Sequence, residues 1–400
     1  MSALIPFRAL RPAPHAAPAV ASVPYDVVNV DEARALAAGN PLSFLRVTRS
    51  EIDLAPGGDP HAPEVYAQAV RNFEDLKRAA PLVLDDEPSL YFYRLRMGPH
   101  EQIGLGGCFS VDEYDRGLIK KHETTRKVKE DDRTRHITEL RAQTGVVFLT
   151  YRASARVDAV AARVTARAPL YDFTATDGIV HSVWRATGAD AAALVEAFGA
   201  LPALYIADGH HRAASAARAR TTVRTREAET FIAVAFPDRQ TQILPYNRVV
   251  KDLAGHTPES WLAAIGARLT VAPGGPVPAR QGEVSMFVGG AWHRVTLPVP
   301  PAGTPRADAL DVALLQREVL EPLLGVGDPR TDTRLEFVGG IRGTTELERL
   351  VQSGAAAVAF SLLPVTTDDL MAIADAGGIM PPKSTWFEPK LRDGLLVHLI

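Results

Sequence analysis

Cysteine is almost missing from this chain: of 400 residues only Cys108 carries a thiol. One cysteine cannot close a disulfide within the chain, and it excludes every zinc or iron–sulfur site that needs several cysteines from a single chain. A reducing compartment fits that usage best. Net charge is nearly absent too, since 44 Lys and Arg against 47 Asp and Glu leave 44 − 47 = −3. No global positive field therefore draws the chain to nucleic acid or acidic lipid. Long apolar runs are also lacking: the most apolar stretch, 355–365, is interrupted by Ser361 and Pro364 and falls far short of the roughly 20 residues of a membrane-spanning helix. Ala19-Val20-Ala21 looks like a signal-peptidase site, but Pro6, Pro12, Pro14 and Pro18 break up the apolar segment that a secretion signal requires. The expectation is a cytoplasmic protein without membrane contact.

With 46% hydrophobic and 23% charged residues, the composition is that of a globular chain with enough apolar surface for a core, which excludes disordered and fibrous classes. The segment 31–38 predicts a short helix opened by an acidic N-cap, and apolar residues recur at helical spacing through Val65, Ala69, Phe73 and Leu76 in 63–80. The period then changes to two in 90–96 and 102–111, around the corner Gly98-Pro99-His100, which predicts a β-hairpin. Apolar runs at 146–151 and 204–207 predict buried strands, and the alanine-rich stretches 190–197 and 213–219 predict helices. Such alternation predicts an α/β or α+β fold, with mixed sheets and flanking helices. Further on, 23–28 reads as a strand or a turn, and 245–252 as an edge strand or a binding wall. A strand-like segment, 284–297, lies between the proline-rich stretches 272–278 and 298–305, where boundaries are expected; 308–324 reads as a helix ended by Gly325, and 345–363 as helix, turn and buried strand. The expected division is 1–170, 171–275 and 276–400, the alternative being one interwoven domain.

Chemistry concentrates in three places. Asp208-Gly209-His210-His211-Arg212 follows an apolar strand and opens a helix, so backbone N–H groups and a helix N-terminus converge as in an anion site. Gly209 allows close backbone approach, Arg212 offers planar donors for a phosphate, and His210 and His211 can move protons. Alternatively, Asp208 merely caps the helix and the histidines are turn residues. The segment 119–136 is crowded with charge: Lys120, Lys121, Arg126, Lys127 and Lys129 face Glu123, Glu130, Asp131 and Asp132. It reads either as a solvated, salt-bridged helix or as a site in which cations offset phosphate charge and Glu123 is the general base. His122-Glu123 is not a zinc-protease motif, because position 126 is Arg rather than His. Gly377 precedes Lys383-Ser384 at P-loop spacing, yet Pro382 occupies the place of the essential glycine and has no N–H for a phosphate. A P-loop is therefore excluded, while Lys383, Ser384 and Thr385 stay candidate phosphate or substrate contacts; alternatively, Trp386 and Phe387 anchor a closing strand there.

Segments 23–28, 40–45, 119–135, 205–212, 245–252, 328–332, 337–343 and 380–390 together resemble the DUF1015 proteins, a bacterial and archaeal family of unknown function. The Asp208-Gly209-His210-His211-Arg212 element is similar to the Asp-Gly-x-x-Arg turn of the ParB and sulfiredoxin-like superfamily, which binds nucleotide phosphates and includes free-serine kinases. That resemblance implies a ParB/sulfiredoxin-like nucleotide-binding core with large insertions and a C-terminal extension. It implies phosphate contacts at Gly209, His210, His211 and Arg212, with Asp208 beside Mg²⁺ or the acceptor hydroxyl.

The leading expectation is a small-molecule phosphotransferase that converts L-serine to O-phosphoserine, with ATP, ADP or pyrophosphate as donor and Mg²⁺ as companion ion. Its catalytic residues would be Glu123, Asp208 and His210, with Asp26 as reserve base. Gly209, His211, Arg212, Lys120, Arg126, Lys383, Ser384 and Thr385 would hold the nucleotide, and His122, Asp26, Asn247 and Arg248 the acceptor. No metal ligands are assigned. The alternatives are a ParB-like binding module switched by nucleotide, for which the charge of −3 disfavours DNA as partner, and a metal-dependent phosphoester hydrolase using His210 and His211.

Overall fold

The computed structural model describes residues 4–79 and 82–400. The chain folds as two compact units, one made of 1–241 together with 389–400, the other of 242–388. The expected breaks at 170 and 275 do not occur. Strands Tyr171–Thr174 and Val180–Ala186 pair with each other, and the latter pairs with Leu90–Met97, so a cut at 170 would split one sheet. Likewise Thr270–Pro273 pairs with Ala291–Thr296 across the first proline-rich stretch, and Leu297 and Leu310 on either side of the second share one core.

The first unit is built on a mixed sheet with the order Ile119–Lys120, Leu204–Asp208, Val147–Tyr151, Thr230–Pro237, His100–Ser110, Leu90–Met97, Val180–Ala186, Tyr171–Thr174, to which Leu4–Ile5 adds beside His100–Ser110. Two pairings are parallel, Leu204–Asp208 with Ile119–Lys120 and Thr230–Pro237 with Val147–Tyr151. The expected hairpin is present, Leu90 to Met97 pairing antiparallel with His100 to Ser110. Strands Val147–Tyr151 and Thr230–Pro237 are buried along their whole length, and the first of them is the apolar run expected as a buried strand. Helices Ala155–Thr165 and Gly188–Gly199 pack on each other, as do Lys127–Leu140 and His210–Val223. Phe109, Leu149, Trp184, Leu194, Phe198 and Phe231 are among the residues of the shared core.

Local expectations mostly hold. The second predicted helix runs Pro63–Ala79 and buries Val65, Ala69, Phe73 and Leu76; its expected last residue, Ala80, lies outside the described residues. The first is Val30–Ala37, capped by Asn29 rather than by an acidic residue: Asn29 and Glu32 exchange side-chain and backbone hydrogen bonds in a capping box. The 23–28 segment is a turn and not a strand. The Val27 N–H donates to the Pro24 carbonyl at 3.2 Å, and Pro24 has no N–H to offer a ladder.

The last residues of the first unit return to it after the second unit. Asp393 and Ser22 exchange backbone hydrogen bonds, Val397 does so with Leu10, and His398–Leu399 pairs with Ala142–Gln143. Gly394 makes the return with φ +88°, and a Cβ there would lie 2.7 Å from Cγ of the buried Phe44 ring. Gly394→Ala is therefore expected to destabilise the protein by about 1–3 kcal/mol, measured by urea denaturation; an unchanged midpoint would contradict this packing.

In the second unit, Thr270–Pro273, Ala291–Thr296, Glu283–Val288, Val358–Ser361, Tyr246–Val250 and Leu335–Gly339 form one sheet in that order. Tyr246–Val250 is thus an inner strand, flanked by Leu335–Gly339 and Val358–Ser361, and not the expected edge. The 308–324 region is helical with a one-turn π segment, Gln316–Leu320, and ends at Gly325 in the left-handed conformation. Trp386–Phe387 pairs with Ile243–Leu244, the closing-strand alternative.

Candidate functional site

Two neighbouring strands, Ile119–Lys120 and Leu204–Asp208, are parallel, with Lys120 opposite Tyr205. In open α/β sheets ligands bind beyond the carboxyl ends of strands, and here the loops leaving both ends meet. The backbone N–H of His122 donates to Nε2 of His210 at 3.4 Å, and that of Arg126 to Nε2 of His211 at 3.0 Å. The charged segment therefore divides into a loop at 121–126 and a helix, Lys127–Leu140.

Gly209 joins strand to helix with φ +92°, and no side chain caps the His210–Val223 helix that follows. Among the described residues no side chain serves as a cap acceptor for its first-turn N–H groups, and the positive end of the helix dipole lies at the Gly209 turn. Asp208 accepts from the Gly209 N–H at 2.9 Å instead of capping the first turn.

Arg212 does not reach outward to a phosphate. Its side chain is only 5% exposed; Nη1 donates to the Val146 carbonyl, and Nη2 lies 3.4 Å from Oδ2 of both Asp26 and Asp208. Glycines make the slot: a Cβ at Gly145 would stand 3.0 Å from Cδ of Arg212, and one at Gly209 3.1 Å from its Cζ. Burial opposes the guanidinium charge, but Asp26 and Asp208 hold it firmly protonated.

Sequence reasoning missed two partners, Lys390 and Asp393. Lys390 Nζ is 3.2 Å from Oδ2 of Asp208. Burial alone would raise the Asp208 pKa, yet Lys390 and Arg212 hold it far below the usual carboxylate range. Asp393 is 1% exposed, and its Oδ2 is buried without a hydrogen-bond partner. Burial pushes its pKa up to about 7, against the pull of Arg212 and with the charge of Asp26 adding to the rise. The available signal was a charged pair, Arg392-Asp393, inside an otherwise apolar stretch ending in Leu395-Leu396-Val397.

The histidines are held neutral. His122 is 1% exposed with neither ring nitrogen hydrogen-bonded, and burial lowers its pKa to about 4 against the pull of Asp208. The His210 ring meets it edge-on at 4.4 Å, and burial with His122 beside it keeps His210 well below its ordinary value. Nδ1 of His210 lies 3.7 Å from Oε2 of Glu123, whose side chain is 43% exposed. His211 diverges from His210 toward Arg126, so the two do not share one focus. Lys120 lies 5.9 Å from the centre of the Tyr205 ring, and Arg126 is exposed. Among the described residues no three His, Cys, Asp or Glu side chains group as metal ligands.

The remaining expected residues, Asn247, Arg248, Lys383, Ser384 and Thr385, belong to the second unit. Two of them are occupied there: Asn247 Oδ1 accepts from the Leu362 N–H at 3.1 Å, and the Ser384 hydroxyl donates to the Pro381 carbonyl. Arg248 donates to the carbonyls of Pro382 and Lys383 at 3.1 and 3.0 Å. Lys383 is exposed, at φ +54°, and Thr385 is half-buried.

Two outcomes are expected. Arg212→Ala leaves buried carboxylates without their counter-charge and should cost about 3–5 kcal/mol, whereas Glu123→Gln at the surface should stay within about 0.5 kcal/mol; equal stability of the two in urea would refute the inward role of Arg212. Asp393 keeps its proton up to about pH 7 in the folded chain, while an unfolded Asp loses it near pH 3.9. Its contribution to stability therefore falls as pH rises from about 4 to about 7. In Asp393→Asn that contribution vanishes, so the stability difference between variant and parent should grow in favour of the variant across this window; a constant difference would show that Asp393 titrates normally.

Three solved structures resemble the chain remotely. A conserved hypothetical protein from Pyrococcus furiosus is 14% identical, with 74% of this chain and 95% of that one covered, at a TM-score of 0.36. SbnI with a C-terminal truncation, from Staphylococcus aureus, is 13% identical, covering 74% and 87%, at 0.40. A free serine kinase in complex with AMP is 10% identical, covering 72% and 91%, at 0.35. No curated protein matches the sequence. The family described as protein of unknown function, DUF1015, matches over residues 4–313, and the chain belongs to that family.

Proposed function

We propose that the first unit is a nucleotide-dependent phosphotransferase acting on the hydroxyl of a small molecule, with free serine as the first acceptor to test. The observation that carries this is the meeting of two strand-end loops at an uncapped helix N-terminus, a geometry suited to phosphate oxygens. Lys120 and the exposed Arg126 supply cations along the same loop. The terminal phosphate lies against the N–H groups of the first helical turn. The acceptor oxygen attacks its phosphorus, the bond to the nucleotide oxygen breaks, and the acceptor proton passes to Glu123, with His210 beside it. Arg212 is a positioning residue: it fixes Asp208 and Asp26 without touching phosphate. Among the described residues the carboxylates offer no closed cage for Mg²⁺; an ion carried on the phosphates needs only one or two carboxylates, for which Asp26 and Asp208 are candidates.

The test is phosphorus NMR of the protein with Mg²⁺, serine and, in separate tubes, ATP, ADP or pyrophosphate. A new phosphomonoester signal in one tube is expected. Glu123→Gln should slow its appearance by about 10²–10⁴-fold while nucleotide affinity stays within about twofold. Turnover that survives this substitution would move the base to another residue. Nucleotide bound without transfer to any acceptor would favour the switched binding module instead.

A further inference from the structure

The second unit contains a buried positive charge that nothing in it neutralises. Arg248, on the inner strand Tyr246–Val250, is 4% exposed. Among the described residues no carboxylate faces it: burial drags its pKa down to about 9, and only Tyr246 acts the other way. Its hydrogen-bond partners are neutral carbonyls, those of Tyr246, Pro382 and Lys383. A guanidinium has five N–H donors, so three carbonyls leave at least two. The guanidinium also lies over the Phe337 ring, 5.3 Å from its centre, a contact that brings no negative charge. A buried charge without a counter-ion costs several kcal/mol, and a ligand can supply that counter-charge.

The space for that ligand is present. Arg248 lines a cavity of about 470 Å³, together with Leu297, Leu310, Leu362 and Ser384. Two further cations on the wall are already matched, Arg306 by Asp369 at 2.8 Å and Arg280 by Glu283 at 3.1 Å. Asp311, also on the wall, accepts from the Gly282 N–H and has its pKa raised by burial. Arg248 is thus the cation of this wall that no carboxylate pairs, and it calls for a singly charged anion with an apolar body, a higher charge being disfavoured by the carboxyl of Asp311 on the same wall. A phosphate monoester, with close to two negative charges at neutral pH, would exceed that single charge.

We propose that the second unit holds a ligand site of its own, in which Arg248 takes the carboxylate of a small organic acid whose apolar body lies along Leu297, Leu310 and Leu362. The site is made entirely of residues 246–384 and stands apart from the phosphotransfer reading, so either can fail alone. Phosphate oxygens bind guanidinium by the same chemistry, and the choice between the two is an arm of the test.

The experiment is isothermal titration of the full chain with hexanoate, with hexylamine and with inorganic phosphate. Saturable binding of hexanoate is expected, with none of hexylamine, which has the same apolar body and the opposite charge. Arg248→Gln should weaken hexanoate at least tenfold. Because that substitution also removes bonds to the 382–383 loop, Ala309→Trp, which fills the cavity from a half-exposed position on its wall, provides the second variant and should weaken hexanoate equally. Nucleotide affinity should be unchanged in both variants. The proposal is overturned if hexanoate does not bind, if hexylamine binds as well, if phosphate binds more tightly than hexanoate, or if Ala309→Trp leaves hexanoate binding intact.

Discussion

The first unit depends on one buried guanidinium. Arg212 draws together Asp26 from the N-terminal turn, Asp208 from the end of an inner strand and the Val146 carbonyl from the turn before the next, while Asp393 from the last segment responds to its charge. A cation in low dielectric is costly unless it is paired; Arg212 meets two carboxylates and a carbonyl through Nη1 and Nη2, while its Nε has no partner, so these segments must arrive in fixed positions. The short backbone at Gly145 and Gly209 is what lets them come so close. The turn that opens the His210–Val223 helix is thereby held in place by charged groups from distant segments.

Around this anchor the titratable groups sort by environment. Asp208 is kept ionised by two cations, Asp393 holds its proton up to about pH 7 because it is buried, and His122 and His210 are kept neutral by their burial. Neighbouring groups pushed in opposite directions are a mark of sites where protons are exchanged. Glu123, outside the buried set but within 3.7 Å of His210, connects that interior to solvent.

Much of the fold was legible because it is locally encoded. The hairpin of Leu90–Met97 and His100–Ser110, the Pro63–Ala79 helix and the strand, turn and helix around Gly209 each follow from periodicity or backbone chemistry within about twenty residues. What could not be read depends on distant partners. Lys390 and Asp208 are 182 positions apart, and no local pattern announces their pairing. The direction of Arg212 was misread for a related reason: a helix-opening arginine looks the same whether it faces a ligand or two carboxylates, and Asp26 is 186 positions away. Arg248 was noticed for its charge, but its lack of a counter-ion is a property of everything packed around it. The 23–28 segment has strand-like composition, yet it turns at Pro24, just after the isolated bridge from Ser22 to Asp393.

The discontinuity of the first unit has a consequence for biosynthesis. Its sheet is complete in sequence by residue 237, yet Lys390 and Asp393 emerge from the ribosome only after the whole of 242–388. During translation Asp208 and Arg212 are thus present before two of the charged groups that surround them. The second unit, continuous in sequence, can fold as it is made, and the first must wait with a partly formed electrostatic centre until the chain comes back. The order of synthesis therefore makes the charged centre the last part of the first unit to mature.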